Sequence, residues 1–148
     1  MASTLPETLG PYRILGLIGV GGMGSVLRAE PIAGGAPVAL KSVTVQQRAH
    51  IPALRREIYA LSKLEHPGIV RIKDSGTDGG VPWIAMELVE GPSLRDECEA
   101  LTRTRPPILD RLGDVLTIVA QLCSALAYMH GEGMIHRDLK PANVLLAG

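Results

Sequence analysis

Six residues, Gly19-Val20-Gly21-Gly22-Met23-Gly24, narrow the choice of fold more than any other stretch of the chain. They spell G-x-G-x-x-G, a spacing found both in loops that open a helix and in loops that join two strands. The flanks decide between these. Ser25-Val26-Leu27-Arg28-Ala29-Glu30 is strand-like and soon meets Pro31, whereas a dinucleotide-binding loop opens a helix. A P-loop needs Lys and then Ser or Thr directly after its last glycine, and here Ser25 follows Gly24 with no Lys. What remains is a strand, a loop and a second strand. Glycines in such a lid let the backbone come close to phosphate oxygens and donate N–H groups without Cβ clashes. An ordinary flexible hairpin shares the pattern, so the glycines alone do not establish a nucleotide site.

The rest of the chain fits around that hairpin. Residues 12–18, 25–30 and 38–43 are apolar and β-friendly and predict an antiparallel meander. Residues 53–64 carry Leu54, Ile58 and Leu61 at helical spacing behind Pro52, and His66-Pro67-Gly68 stops that helix. Two further strands, 69–75 and 81–89, are separated by the turn residues Gly76, Asp78, Gly79 and Gly80. Gly91-Pro92 marks a change of character, and helices follow. Ser93 is placed to cap a short helix from Leu94. Asp110 is placed to cap a long helix over 112–130, which Gly131 and Gly133 end. The expected class is α+β, a five-stranded antiparallel sheet with one helix and then further helices. Residues 1–11 are expected to be a flexible end, 12–90 one part and 91–148 another.

Composition sets limits on function. With 46% hydrophobic and 20% charged residues the 148-residue chain has the makings of one globular domain. It has no Phe, so the core must be built from aliphatic residues. Formal net charge is zero, which gives no global field to recruit nucleic acid or an anionic membrane. Cys98 and Cys123 match no zinc spacing and suit thiols of a reducing cytosol. The first ten residues lack the basic start and apolar run of a secretory signal. The charge-free stretch 115–129 is shorter than the roughly 20 apolar residues of a membrane span. Thr117, Gln121 and Ser124 recur along it, as on an amphipathic, half-buried helix. The expectation is a soluble, cytoplasmic chain, with an anchor elsewhere in a longer protein left open.

The richest chemistry lies in Ile135-His136-Arg137-Asp138-Leu139-Lys140-Pro141-Ala142-Asn143, which brings a base, a cation and an amide together. On this run the chain resembles the protein kinases, and Lys140-Pro141 matches their Ser/Thr-directed branch. The Gly-Gly-Met-Gly tip and the Lys-Pro-Ala-Asn run are most similar to the bacterial receptor-type members. The resemblance covers about residues 12–148. It makes 12–90 an N-lobe with its hinge and 91–148 the start of a C-lobe.

The resemblance implies ATP and Mg2+ as cofactors and a protein with a Ser or Thr acceptor as partner. Gly19, Gly21, Gly22 and Gly24 would cover the phosphates. Lys41 would hold the α- and β-phosphates, kept charged by Glu57; Glu65 is the rival partner but sits at the helix end. Glu87 and Val89 would bond the adenine through their backbones, with Met86 limiting pocket depth. Ile18, Val26 and Ala39 would form the roof and Leu145 part of the floor, although each serves equally well as core. Asp138 would orient the acceptor hydroxyl and take its proton. Lys140 would neutralise the moving phosphoryl, and Asn143 would hold magnesium through its amide oxygen. His136 suits a structural role, and Arg137 in this family often meets a phosphorylated activation loop.

The chain also departs from that pattern. An Asp-Phe-Gly run should follow Asn143 by a short strand and turn, and residues 144–148 do not contain it. Asn143 is then half of a metal site. Val119, Leu122, Cys123 and Leu126 would lack the helices they normally face, leaving an apolar surface open to association. The expected function is protein Ser/Thr phosphorylation, with residues 1–148 inactive by themselves. The alternative is an ATP-binding or scaffolding pseudokinase-like module without turnover. A small-molecule phosphotransferase fits less well, because those enzymes usually lack the Lys140-Pro141 pair.

Overall fold

Alternation of side chains along the strands of a six-stranded sheet sorts the N-terminal residues onto two faces. The computed structural model describes residues 6–21, 24–42, 58–104 and 108–147. Its strands are β1 (Thr8–Leu9), β2 (Tyr12–Gly21), β3 (Gly24–Pro31), β4 (Val38–Ser42), β5 (Ile72–Asp78) and β6 (Val81–Glu87). They form an antiparallel sheet in the order β1-β2-β3-β4-β6-β5. The five expected strands are all present, with β5 displaced three residues towards the C-terminus from 69–75 to 72–78.

The sixth, β1, lies in the stretch expected to be flexible. Leu9 is buried, and Gly10, at φ +57°, turns the chain so that Leu9 pairs with Tyr12. The Gly10 N–H also donates to Asp78 Oδ2 at 2.8 Å, which ties this end to the β5–β6 turn. Two residues with one apolar side chain carry too little periodicity to announce a strand.

Register fixes the faces. Leu27, Leu40 and Ala85 stand side by side across β3, β4 and β6. With Leu9, Tyr12, Ala29, Val38 and Trp83 they make one buried cluster, so the core is not built from aliphatic residues alone as expected but includes two of the chain's few aromatic side chains. Leu40 is fully buried, and burial of such a side chain stabilises by roughly 1.5–3 kcal/mol. Trp83 meets Tyr12 edge-on at 5.5 Å between ring centres. Its ring lies so close over Gly10 and Gly76 that a Cβ at either position would collide with it. The Tyr12 hydroxyl donates to Asp74 Oδ2 at 3.4 Å; burial, and then the Asp74 carboxylate, push that phenol above its ordinary pKa.

Residues 58–61 are helical, with Ile58 buried. The remainder of the expected helix, 53–57, lies outside the described residues. Lys63 and Leu64 donate three residues back, to Ala60 and Leu61, so the last turn tightens before His66-Pro67-Gly68.

By its internal contacts the chain divides into two compact units, Met1–Leu64 with Val70–Leu88 and Glu65–Ile69 with Val89–Gly148. The second holds α1 (Leu94–Thr104), α2 (Ile108–Gly131) and a 3-10 turn (Pro141–Asn143). Ser93 caps α1 as expected. Its Oγ accepts from the Asp96 N–H at 3.2 Å, while Asp96 Oδ2 accepts from the Ser93 N–H at 2.9 Å. Arg111 on α2 reaches Glu97 on α1 at 2.7 Å.

The loop at 65–69 is fastened to α2. The Glu65 N–H donates to the Tyr128 hydroxyl at 3.2 Å. His66 Nδ1 accepts from the Gly68 N–H at 3.0 Å, so Nε2 carries the proton and donates to Ser124 Oγ at 3.2 Å. Of Thr117, Gln121 and Ser124, which the spacing placed on one face, Ser124 makes this contact, while the Thr117 hydroxyl donates to the Gly113 carbonyl of its own helix at 2.9 Å. Ala125 and Met129 of α2 are buried.

The helix is longer than the charge-free stretch, because Asp110, Arg111 and Asp114 all belong to it. Over Asp110–Gly131 it is long and apolar enough to cross a membrane by length and composition alone, a test that soluble core helices also pass. Leu112, Val115, Leu116 and Val119 lie exposed along one stripe of α2, and Cys123 is exposed too.

Candidate active site

In the first unit the strand registers gather the expected nucleotide-binding residues on the sheet face opposite the buried cluster. Gly19 stands across from Val26, Val26 from Lys41, and Ala39 from Met86. Ala39 and Lys41 are two apart on β4, so Val26, Lys41, Ala39 and Met86 share one face. All four are half-buried, whereas Leu27, Leu40 and Ala85 on the other face are fully covered. Ile18 is the extra residue of a bulge between Leu17 and Gly19 and is 52% exposed. Ile84, which stands across from Lys41, joins this face. The sequence reading did not single it out, although counting back by two from Met86 would have found it.

The strands on either side of the glycine run pair up to its described ends. β2 continues through Gly21 and pairs it with Gly24, whose φ of +133° suits glycine. Gly22 lies outside the described residues, as does Glu57, the expected partner of Lys41. Around Gly19 a Cβ would meet nothing within 4 Å, so the backbone there is open to approach. Glu87 closes β6, and its N–H donates to the Arg71 carbonyl at 2.8 Å.

The second unit contains Val89, Leu145 and the run from Ile135. Arg137 has φ +62°, unusual for a residue with a side chain, and the Asp138 N–H donates back to the His136 carbonyl at 2.8 Å. Such a backbone costs about 1–3 kcal/mol and persists only when its surroundings over-determine it. They do so here. Asn143 Nδ2 donates to the Asp138 carbonyl at 2.8 Å and to Asp138 Oδ2 at 3.0 Å. Lys140 Nζ reaches the same Oδ2 at 2.9 Å. The Pro141–Asn143 turn, closed by the Asn143 N–H on the Lys140 carbonyl at 2.8 Å, brings Asn143 round to make these bonds.

Two consequences follow for the chemistry. The Lys140 ammonium and then the Asn143 amide hold the Asp138 carboxyl below the usual carboxylate range, so it is ionised at neutral pH. Both donors reach Oδ2, which leaves Oδ1 to accept a hydrogen from a bound hydroxyl. Because Nδ2 of Asn143 is spent on Asp138, its amide oxygen faces away and is available to a hard cation. No group of three or more His, Cys, Asp or Glu side chains could hold a metal among the described residues. Magnesium asks for less, since it takes one or two protein oxygens together with phosphate and water. Asn143 fits as one such oxygen.

After Asn143 the chain pairs with the segment before α1. Leu94 N–H donates to the Val144 carbonyl at 2.8 Å, Leu146 N–H to the Pro92 carbonyl at 2.9 Å, and Ser93 bridges Leu145. Leu145 is 43% exposed.

Comparison with known proteins gives one answer. Residues 12–148 match the protein kinase domain family. The chain is 40% identical over 151 residues to serine/threonine-protein kinase pkn2 of Myxococcus xanthus, covering 96% of this chain and 17% of that protein. It is 37% identical over 140 residues to serine/threonine-protein kinase PrkC of Bacillus subtilis, covering 93% and 21%. Among solved structures it resembles the PknI kinase domain of Mycobacterium tuberculosis, with a TM-score of 0.78 and 30% identity over 97% of this chain and 58% of that one. A point mutant of the same domain gives a TM-score of 0.83. The chain thus spans about a fifth of the length of these curated relatives.

Proposed function

This chain belongs to the protein kinase domain family, in the branch of the bacterial serine/threonine protein kinases, and from that premise we propose how its residues divide the work of phosphoryl transfer. The substrates are ATP and a protein carrying a Ser or Thr hydroxyl. The bond from the γ-phosphorus to the bridging oxygen breaks, a bond to the acceptor oxygen forms, and ADP leaves. Asp138 orients the hydroxyl at Oδ1 and takes its proton late in the transfer. Lys140 neutralises charge on the phosphoryl as it moves. Magnesium, when bound, screens the phosphate charge, and Asn143 supplies one oxygen to it.

The sheet face of Val26, Ala39, Lys41 and Met86 takes the nucleotide. The hairpin glycines Gly19, Gly21, Gly22 and Gly24 approach its phosphates. Lys41 holds the α- and β-phosphates with Glu57 as its counter-charge. Glu87 and Val89 offer backbone groups to the adenine, and Ile18 and Leu145 add apolar contact. On this reading residues 12–90 serve the nucleotide and 91–148 begin the part that serves the acceptor. Use of ATP supports a cytoplasmic site of action.

The observation that carries the proposal is the tethering of Asp138. Both neighbours reach one carboxylate oxygen, and the other is left for a hydroxyl. A second reading, nucleotide binding without turnover, is favoured for residues 1–148 taken alone, because they include no Asp-Phe-Gly run to supply the second metal-binding side chain. Measuring ATP affinity and turnover together separates the two. Residues 1–148 are expected to bind Mg-ATP weakly and transfer no phosphoryl. A fusion of residues 1–148 to the matching C-terminal part of the PknI kinase domain is expected to phosphorylate a Ser/Thr protein acceptor. Robust transfer by residues 1–148 alone, or none by the fusion, would contradict this division.

A further inference from the structure

We propose that Gly91 is a positioning residue for the catalytic loop, through contact with the backbone of Leu146; the role assigned to that loop rests on the reading of Asp138 and Asn143 given above. Gly91 has φ +155°. A Cβ placed on it would fall on the carbonyl oxygen of Leu146, with the Leu146 carbonyl carbon 3.0 Å away and Ala147 N 3.6 Å away. The obstacle is backbone, so no change of side-chain rotamer relieves it. Gly79 and Gly133 also have positive φ, yet a Cβ on either would meet nothing within 4 Å. Gly91 combines a conformation that favours glycine with a contact that excludes any side chain.

The contact matters because of where Leu146 is held. Its N–H donates to the Pro92 carbonyl at 2.9 Å, one residue beyond Gly91. Leu94 N–H donates to the Val144 carbonyl at 2.8 Å. Residues 91–94 and 144–146 therefore run as a short antiparallel pair, and the missing side chain of Gly91 lets them close. Val144 follows directly on Asn143, whose Nδ2 holds both the carbonyl and Oδ2 of Asp138. A displacement of Leu146 passes through two residues to Asn143, and from Asn143 to the carboxylate. Arg137, at φ +62°, stands on the other side of Asp138, so the loop is held under strain and has little latitude to absorb a shift.

Amide hydrogen exchange on the 148-residue chain tests the placement without needing activity. In Gly91→Ala the amides of Leu94 and Leu146 are expected to exchange at least about tenfold faster, while those of Leu40 and Ala85 keep their rates. Gly79→Ala, with positive φ but no clash, is expected to leave Leu94 and Leu146 unchanged. Equal protection of Leu94 and Leu146 in Gly91→Ala and wild type would overturn the proposal. So would a loss of protection spread evenly to Leu40 and Ala85, because that is unfolding and not displacement. In the PknI fusion, Gly91→Ala is expected to lower kcat on the order of 10²-fold and leave the KM for ATP within about threefold. An unchanged kcat would also overturn it. A wild-type fusion without transfer refutes the kinase reading instead, and the exchange rates still decide what Gly91 does to the loop.

Discussion

Asn143 Nδ2 donates to two oxygens of Asp138, the backbone carbonyl at 2.8 Å and the carboxylate Oδ2 at 3.0 Å. One amide thus fixes both where the carboxylate sits and which of its oxygens is free. Asn143→Ala removes both bonds and the oxygen offered to magnesium, and is expected to lower kcat in the fusion by at least about 10²-fold. Asn143→Asp restores an oxygen ligand but sets a like charge beside Asp138. It is expected to recover part of the magnesium dependence without recovering kcat, as steady-state assays across magnesium concentrations would show.

The Lys140 ammonium is the main reason that Asp138 titrates below the usual carboxylate range. A lowered carboxylate pKa means that the charged form is favoured in the folded chain. The acid limb of kcat/KM is therefore expected below the ordinary aspartate value of about 3.9. Lys140→Met should move that limb upward. The stability linked to Asp138 has the matching sign. It is present above the unfolded-state pKa and is lost as pH falls through the folded one. A pH–rate profile of Lys140→Met whose acid limb coincided with that of wild type would count against this pairing.

Gly76 lies beneath the Trp83 ring, where an added Cβ would collide with it. Gly76→Ala is expected to destabilise the first unit by about 1–3 kcal/mol, the usual cost of overpacking a core. Trp83 is the sole tryptophan and reports on this cluster directly, so urea unfolding followed by its emission gives the figure.

Leu116 and Val119 on α2 are 59% and 49% exposed and continue a stripe with Leu112 and Val115. The double substitution Leu116→Glu with Val119→Glu is expected to reduce self-association of the 148-residue chain in sedimentation experiments. Stability should move little, within about 0.5 kcal/mol per site, as at other exposed positions. Unchanged association would show that this stripe does not drive it.

Much of the fold was legible because β2, β3, β4 and β6 fall on apolar, β-friendly runs set off by glycine and proline turns. Val26, Ala39, Lys41 and Met86 were implied by the resemblance to the protein kinases, and strand register then placed them on one face. β1 was not legible, since its reason for existing is the burial of Leu9 in a cluster with residues far along the chain. The catalytic run was legible as a set of residue types within nine positions. Its geometry was not. Which oxygen of Asp138 is occupied, the positive φ of Arg137 and the contact of Gly91 with Leu146 all depend on how the backbone closes. Gly91-Pro92 read as a boundary, and the sequence carried no sign that the glycine also makes room for a carbonyl.

The role proposed for Asp138 is that of the base in a protein Ser/Thr kinase site. Its most direct test is phosphoryl transfer from ATP to a Ser/Thr protein acceptor by the PknI fusion, compared with the same fusion carrying Asp138→Asn. Transfer by the wild-type fusion, a fall of about 10²–10⁴-fold in the variant and unchanged ATP affinity are the predicted result. Equal transfer by the two proteins would contradict it.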